Sequence, residues 1–231
     1  MKPFLLESRD NEALRTLGRA SVQIVHDLKN QLNGLKLYAT FLRKRSEKSE
    51  RPADELETIG KLLTGLDRLA ADLSLIVEYG QPVDLKKRAG TDLEAIMRDV
   101  AARLNGTTAV GGLSVAVVIP AQNSPLVGEF DPVLLGQALE SISVGAMKLN
   151  GKASGESFEI QLQNDAPEAT SGVIQWPVSA ALDHDPFHSF AGSDELRLSL
   201  AARIVEAHGG SAERDNGVLR VRLPLIPEID R

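Results

Sequence analysis

The sequence predicts an α+β chain: a helical hairpin that forms a dimeric four-helix bundle, followed by an α/β two-layer sandwich. Three observations lead there. Residues 12–46 and 54–79 carry apolar side chains at helical spacing. A polar segment with Gly and Pro, "GQPVDLKKRAG", separates them from the remainder. Beyond it, helical and alternating patterns interleave.

In the first helix Leu14, Leu28, Leu35 and Leu42 share one seven-residue series, interleaved with Val25, Leu32 and Ala39. Such a 3-4 alternation makes a narrow stripe suited to coiled-coil-like packing. "EKSERPAD" breaks it, with Pro52 suited to a turn or a helix's first position. Leu56, Ile59, Leu63, Leu66, Ala70, Leu73 and Val77 then continue an a/d register. Two helices joined by a short connection lie antiparallel, and one hairpin cannot cover such a stripe on both sides. The economical solution is a homodimer; the alternative is that the second half of the chain covers the stripe. The expected domains are the hairpin at 1–80, a linker at 81–90 and the sandwich at 91–231. Within the sandwich the patterns predict helices at 91–104, 131–149 and 194–208. Strands are expected at 114–119, 157–163, 211–214 and 218–223, mostly antiparallel. Asp131 and Pro132 read as cap and first turn, with "GEF" before them as a strand.

Composition bounds the function. With 42% apolar and 25% charged residues the 231-residue chain is of ordinary globular character. A formal charge of −6 argues against nucleic acid as partner, since phosphate contacts need clustered Lys and Arg. The absence of cysteine excludes thiolate nucleophiles and Cys-ligated zinc. No apolar run approaches the roughly 20 residues of a membrane span. The N-terminal stretch meets acidic residues too soon for a secretory signal. The expectation is a cytoplasmic protein that does not enter the membrane.

"QIVHDLKNQLNGL" supplies the chemistry. His26 falls beside the apolar seam, on a face open to water. A neutral imidazole is a good nucleophile towards phosphoryl groups, and a carboxylate can hold one tautomer. Asp27 is adjacent in sequence, so any contact with His26 is oblique. Asn30, one turn on, lies over the same face and is placed to orient a water or a phosphoryl oxygen. Alone, an exposed helix histidine carries no assignment.

"HDLKNQL" resembles the H-box of two-component sensor histidine kinases, H-E/D-x-x-N/T-P-L, through His26, Asp27, Asn30 and Leu32, with Gln31 in place of the usual proline. Hairpin, linker and sandwich follow in that family's order, so the resemblance spans roughly residues 15–225. It implies a Bergerat-type sandwich, a phosphoacceptor role for His26, a general-base role for Asp27 and support of dephosphorylation by Asn30. It also implies response-regulator receiver domains as partners, with Ile24, Lys29 and Lys36 as contact candidates.

Three further motifs resemble the family's nucleotide boxes and depart from them. In "DPVLLGQALESISVGAMKLN", aligned on Ala146 and Lys148, the two Asn-box asparagines are Ser141 and Gly145. In "LQNDAPEA", Asn164 stands at the adenine-reading Asp, and Ala166 and Glu168 at the glycines. In "ELRLSLAARIVEAHGG" two glycines are Glu195 and Arg197. A carboxylate repels triphosphate, and Arg197 adds bulk where backbone should approach phosphate. Leu196, Leu198, Ile204, Val205 and Gly209-Gly210 retain the scaffold.

The reading is a degenerate form similar to histidine phosphotransferases, exchanging a phosphoryl group between His26 and receiver aspartates. It needs no ATP and no cofactor of its own; Mg²⁺ comes with the receiver. The alternatives are an ATP-dependent kinase with divergent boxes and a non-catalytic dimeric module that binds receivers. In "DHDPFH", Pro186 opposes the regular helix that His184 and His188 would need to share a metal. His208, ahead of Gly209, reads as a helix C-terminal cap.

Overall fold

A computed structural model describes residues 25, 28–46, 53–106, 114–119, 125–150, 157–165, 170–179, 185–189, 192–215 and 217–226. The chain divides into two compact units between Pro82 and Val83. In the first, helix α1 covers residues 28–46 and helix α2 covers Ala53–Gly80. Buried Ala39 packs with Leu63 and Leu66, joined by half-buried Leu32 and Ile59. Lys36 on α1 forms an ion pair with Asp67 on α2, so the helices run antiparallel. Leu14 and the "EKSERP" connection lie outside the described residues. Among the described residues no helix is long and apolar enough to cross a membrane.

Other apolar side chains of the hairpin stay uncovered. Leu28, Leu35 and Leu42 remain 44%, 55% and 55% exposed. On α2 a second seven-residue series, Leu62, Leu69 and Ile76, is also exposed. The register read from the sequence for α2 holds the covered stripe and misses this second one.

The second unit contains strands β1 (Arg88–Asp92), β2 (Ser114–Val118), β3 (Val127–Phe130), β4 (Ser157–Asn164), β5 (Ser171–Pro177), β6 (Ser211–Asp215) and β7 (Val218–Pro224). Its helices are α3 (Leu93–Gly106), α4 (Pro132–Asn150) and α5 (Ser193–Ala207). β1 and β3 make a small antiparallel ribbon. The main sheet has the order β2-β4-β5-β7-β6; β2 runs parallel to β4 and every other pair is antiparallel. Alternation explains its two faces. Phe158, Ile160 and Leu162 of β4, Ile174 and Trp176 of β5, and Leu219, Val221 and Leu223 of β7 are buried. Glu159 and Gln161 of β4 stay exposed, and Arg220 and Arg222 of β7 pair with Glu213 on β6. The helices cover the apolar face. Trp176 donates from Nε1 to Ser143 Oγ of α4 at 2.9 Å, so its one polar atom is satisfied inside the core.

Two elements depart from the sequence reading. The segment 81–90 is not linker throughout, because its last three residues enter β1. There Gly90 has φ +74°, in the left-handed region, where the β1–β3 register shifts. β5 was not foreseen. Its apolar core, Val173-Ile174, lies between Gly172 and Pro177, which read as breakers rather than as the ends of a short buried strand.

Asp131 and His208 tie α4 to α5. The Asp131 carboxylate accepts the Val133 and Leu134 N–H groups at 3.0 Å, an N-cap geometry. His208 sits at the C-cap as expected, yet it is 1% exposed and bonded at both ring nitrogens. Nδ1 donates to the Ile204 carbonyl at 2.7 Å, and Nε2 accepts the Asp131 N–H at 3.0 Å. This is a neutral ring. Burial pushes the His208 pKa below its ordinary 6.5, helped by Lys87 and opposed by the Ile204 bond and Asp131. For Asp131 burial acts upward, but the Leu134, Lys86 and Val133 N–H groups and His208 outweigh it, and the pKa falls below 3.8.

Both depressed values give the same sign. The stabilisation from His208 is complete above about pH 6.5 and is lost as pH falls through its folded value. That from Asp131 is complete above 3.8 and is lost below it. Denaturant midpoints of the sandwich are therefore expected to drop as pH falls below 6.5, with a second loss as it falls below 3.8. His208→Gln, which does not titrate, should flatten the first step in a urea titration series.

Candidate functional site

Two surfaces hold the residues singled out by the sequence. The first is the outer face of α1. Ile24, His26 and Asp27 lie outside the described residues. Asn30 is exposed on α1. Lys29 is half-buried, and Lys36 is engaged by Asp67 on the covered side of the hairpin. Two large apolar side chains on α1 point elsewhere: Leu37 is 57% exposed and Phe41 65%. At 100° per residue, positions 30, 37 and 41 fall within about 40° of one another, and Ala39 of the hairpin core lies on the opposite side. Gly34, between them, has open space where a side chain would begin. The sequence held this signal at intervals of seven and four from Asn30; it was masked by the stronger leucine series.

The second surface lies along α4 and α5. Ser141 is half-buried and Gly145 buried. A Cβ placed on Gly145 would stand 2.8 Å from Leu198 Cδ2, 3.1 Å from Cγ and 3.2 Å from Cδ1. Leu198 of α5 thus fills the space that a side chain at position 145 would enter. Lys148 on α4 reaches Asp194 on the first turn of α5 at 2.6 Å. Glu195 folds back over that turn, with Oε2 2.9 Å from where a Cβ on Gly192 would stand. Gly192 offers no side-chain cap. Two carboxylates therefore occupy the first turn of α5, where a helix would otherwise attract an anion. Arg197 is exposed, and Asn164 is half-buried at the end of β4; Ala166 lies outside the described residues.

Between β5 and α5, residues 186–188 form a single 3₁₀ turn capped by Asp185, whose Oδ1 accepts the Phe187 N–H at 3.0 Å. Phe187 is buried at 1% exposure, and the turn packs on α5. Ser199 of α5 donates to the Ser189 carbonyl at 2.9 Å. His188 Nδ1 lies 2.9 Å from Asp185 Oδ2, and His184 is outside the described residues.

No protein-family model matches the sequence, and no match to a curated protein is found. Solved structures do match. ShkA, crystallised full-length in complex with AMPPNP, superposes with a TM-score of 0.66 over 92% of this chain at 18% identity. This chain covers 47% of ShkA, about half its length. ThkA, solved in complex with the response regulator TrrA, gives 0.63 over 100% of this chain and 69% of its own, at 20% identity. The Acinetobacter baumannii histidine kinase AdeS gives 0.53, over 84% of this chain and 96% of its own, at 15% identity. The fold is that of the sensor histidine kinases. α4 carries the sequence motif that was compared with the Asn box, and α5 the one compared with the second glycine box. The Gly145–Leu198 contact and the Glu195 carboxylate lie within those two motifs.

The contact makes a direct prediction. Gly145→Asn drives a side chain into Leu198, and overpacking of this kind costs about 1–3 kcal/mol. The helix propensity regained over glycine offsets only a few tenths of that, roughly 0.3–0.5 kcal/mol. The variant should unfold at a lower urea concentration, and Leu198→Ala in the same chain should recover part of the loss.

Proposed function

We propose that this chain is a two-component phosphotransfer protein. His26 takes a phosphoryl group from the aspartate of one receiver domain and passes it to another, without bound ATP. A nitrogen of the neutral imidazole attacks phosphorus, the P–O bond to the receiver aspartate breaks, and the carboxylate leaves. The acidic neighbour Asp27 holds the proton on the other ring nitrogen, and Asn30 orients phosphoryl oxygens or water. Mg²⁺ arrives with the receiver. Both the aspartyl phosphate and the phosphohistidine are high-energy donors, so the chain contributes positioning.

The observation that carries the ATP-independent part is the filled space at Gly145. A triphosphate and its metal need an amide on α4 and glycines at the start of α5. Ser141 and Gly145 supply no such amide, and Glu195 brings negative charge to the first turn of α5. These residues do not fit Mg-ATP. One observation favours an ATP-dependent kinase instead: ShkA, of the same fold, was solved with AMPPNP. Self-labelling of the purified chain by Mg-ATP would select that reading.

A homodimer is part of the proposal. The exposed series Leu28, Leu35, Leu42 and Leu62, Leu69, Ile76 is supported as a second seam by its heptad spacing. A second hairpin is the occupant whose pattern matches it, giving a four-helix bundle with the hairpin as phosphoacceptor domain and the sandwich as its companion. Receivers dock on the outer face of α1. At 100° per residue the sequence positions 26, 30, 37 and 41 share an arc of about 60°. Leu37 and Phe41 join Ile24, Lys29 and Lys36 as contact candidates; Lys36 also pairs with Asp67. Replacing Leu37 and Phe41 with serine is expected to weaken receiver binding by about tenfold or more, each contributing 1–2 kcal/mol (roughly) of apolar burial. Titration calorimetry with an unphosphorylated receiver reads this directly.

The deciding experiment is transfer of radiolabel from phosphorylated receivers to the wild-type chain and to His26→Ala. Label on the wild type alone supports the reading. Label on neither, with receiver binding intact, selects the non-catalytic module.

A further inference from the structure

The uncovered face of the hairpin is built in levels, and two of those levels carry unlike partners. Given the homodimer proposed above, on which this rests, we propose that Tyr38 of one copy seats over Gly65 of the second, and Gln31 over Asp72. These two levels would then select the partner and its orientation. Levels along the hairpin follow from the Lys36–Asp67 ion pair. In antiparallel helices each step back along α1 is matched by a step forward along α2. To within about one residue, this puts Leu42 beside Leu62, Leu35 beside Leu69 and Leu28 beside Ile76. Between them, Tyr38 stands beside Gly65 and Gln31 beside Asp72. At 100° per residue the five positions on each helix span an arc of about 80°. Viewed from its own N-terminus, each helix turns in the same sense from the Ala39–Leu63–Leu66 stripe to its arc. In antiparallel helices that puts both arcs on one side of the hairpin, as one continuous face.

That face complements a copy of itself. A two-fold axis along the hairpin sets α1 against α2 of the second copy at the same level. Tyr38, 69% exposed in the single hairpin, then meets Gly65. Beyond its own helix, nothing stands within 4 Å of the place a Cβ on Gly65 would take, so the ring has room. A large side chain opposite an empty position is the knob-and-hole match of paired helices. At the other unlike level, exposed Gln31 meets half-buried Asp72, and its amide N–H can donate to the carboxylate. A reversed copy would instead set α1 against α1 and α2 against α2. About the central Leu35–Leu69 level, Asp72 would then face Gly65 and find no donor, while Tyr38 crowded Gln31. A carboxylate closed into a seam without a partner is costly, so the pattern favours the copy in register. A hairpin with a small residue in place of Tyr38 would leave a void at that level.

Subunit exchange on the full chain tests this, with one population isotope-labelled and the pairs counted by native mass spectrometry. Gly65→Tyr sets tyrosine against tyrosine, and Tyr38→Ala empties the level. Each alone is expected to weaken self-association by about tenfold or more, the scale of overpacking or emptying one level of a core. Combined in one chain they reverse knob and hole, so the double variant should regain most of the loss. Mixed with the wild type, it should pair with itself about tenfold more often than across. Gln31→Asp should weaken pairing by setting carboxylate on carboxylate, and Asp72→Gln in the same chain should restore it. Free exchange between the Tyr38→Ala, Gly65→Tyr chain and the wild type would overturn the proposal while leaving the dimer standing. So would a double variant no better than its singles. A wild type that is monomeric at micromolar concentration would overturn the dimer itself and this pairing with it. Where Gly65→Tyr does not fold, Tyr38→Ala decides, and undiminished self-association of that variant would overturn the proposal.

Discussion

His26→Ala is expected to abolish uptake of label from a phosphorylated receiver, a fall of more than about a hundredfold, with no change in fold. Alanine removes the only group proposed to bond phosphorus, so nothing remains to accept it. Alanine is also the best helix former, so the hairpin should lose no helicity. Asn30→Ala is the informative partner variant. It leaves the nucleophile in place, so forward transfer should survive while loss of phosphate to water slows. Equal labelling of His26→Ala and the wild type would end the phosphotransfer reading. Measuring the receiver's affinity in the same samples separates lost chemistry from lost docking.

Leu35→Lys combined with Leu69→Lys should convert the proposed dimer to monomer at micromolar concentration. Each leucine is about half exposed in the single hairpin, so neither charge disturbs the Ala39–Leu63–Leu66 core. Against a second copy, both ammonium groups would be buried beside apolar neighbours without a partner, which costs several kcal/mol per ion. Sedimentation equilibrium reads the mass, and circular dichroism reads the helicity of a hairpin left with one covered stripe. A mass that stays at twice 24.9 kDa would mean that another surface holds the copies together.

The sandwich was legible because its helices and strands keep distinct periods. β4 reads SFEIQLQN with Phe158, Ile160 and Leu162 inward, and the structure places that alternation on the sheet as expected. β5 was opaque because it is buried between neighbours and flanked by Gly172 and Pro177, leaving no alternation to read. In the hairpin, a heptad count finds apolar series but cannot say which one faces the partner helix, since that depends on the crossing of two helices. Leu32 and Ala39 face inward while Leu28, Leu35 and Leu42 do not. Lys36 looked available from its sequence position; its engagement needed Asp67, 31 residues away, which only the fold supplies. That Ser141, Gly145, Glu195 and Arg197 depart from the motifs they resemble could be read one by one. That Leu198 fills the space over Gly145 could not, because it depends on how α4 packs against α5.

The Gly145–Leu198 contact makes the two positions interdependent under substitution. A longer side chain at 145 alone would meet a Leu198 methyl at 2.8 Å and cost folding stability. A shortened residue at 198 alone would leave a void and cost stability in turn. Bulk at one position is therefore tolerated only when it is traded against bulk at the other.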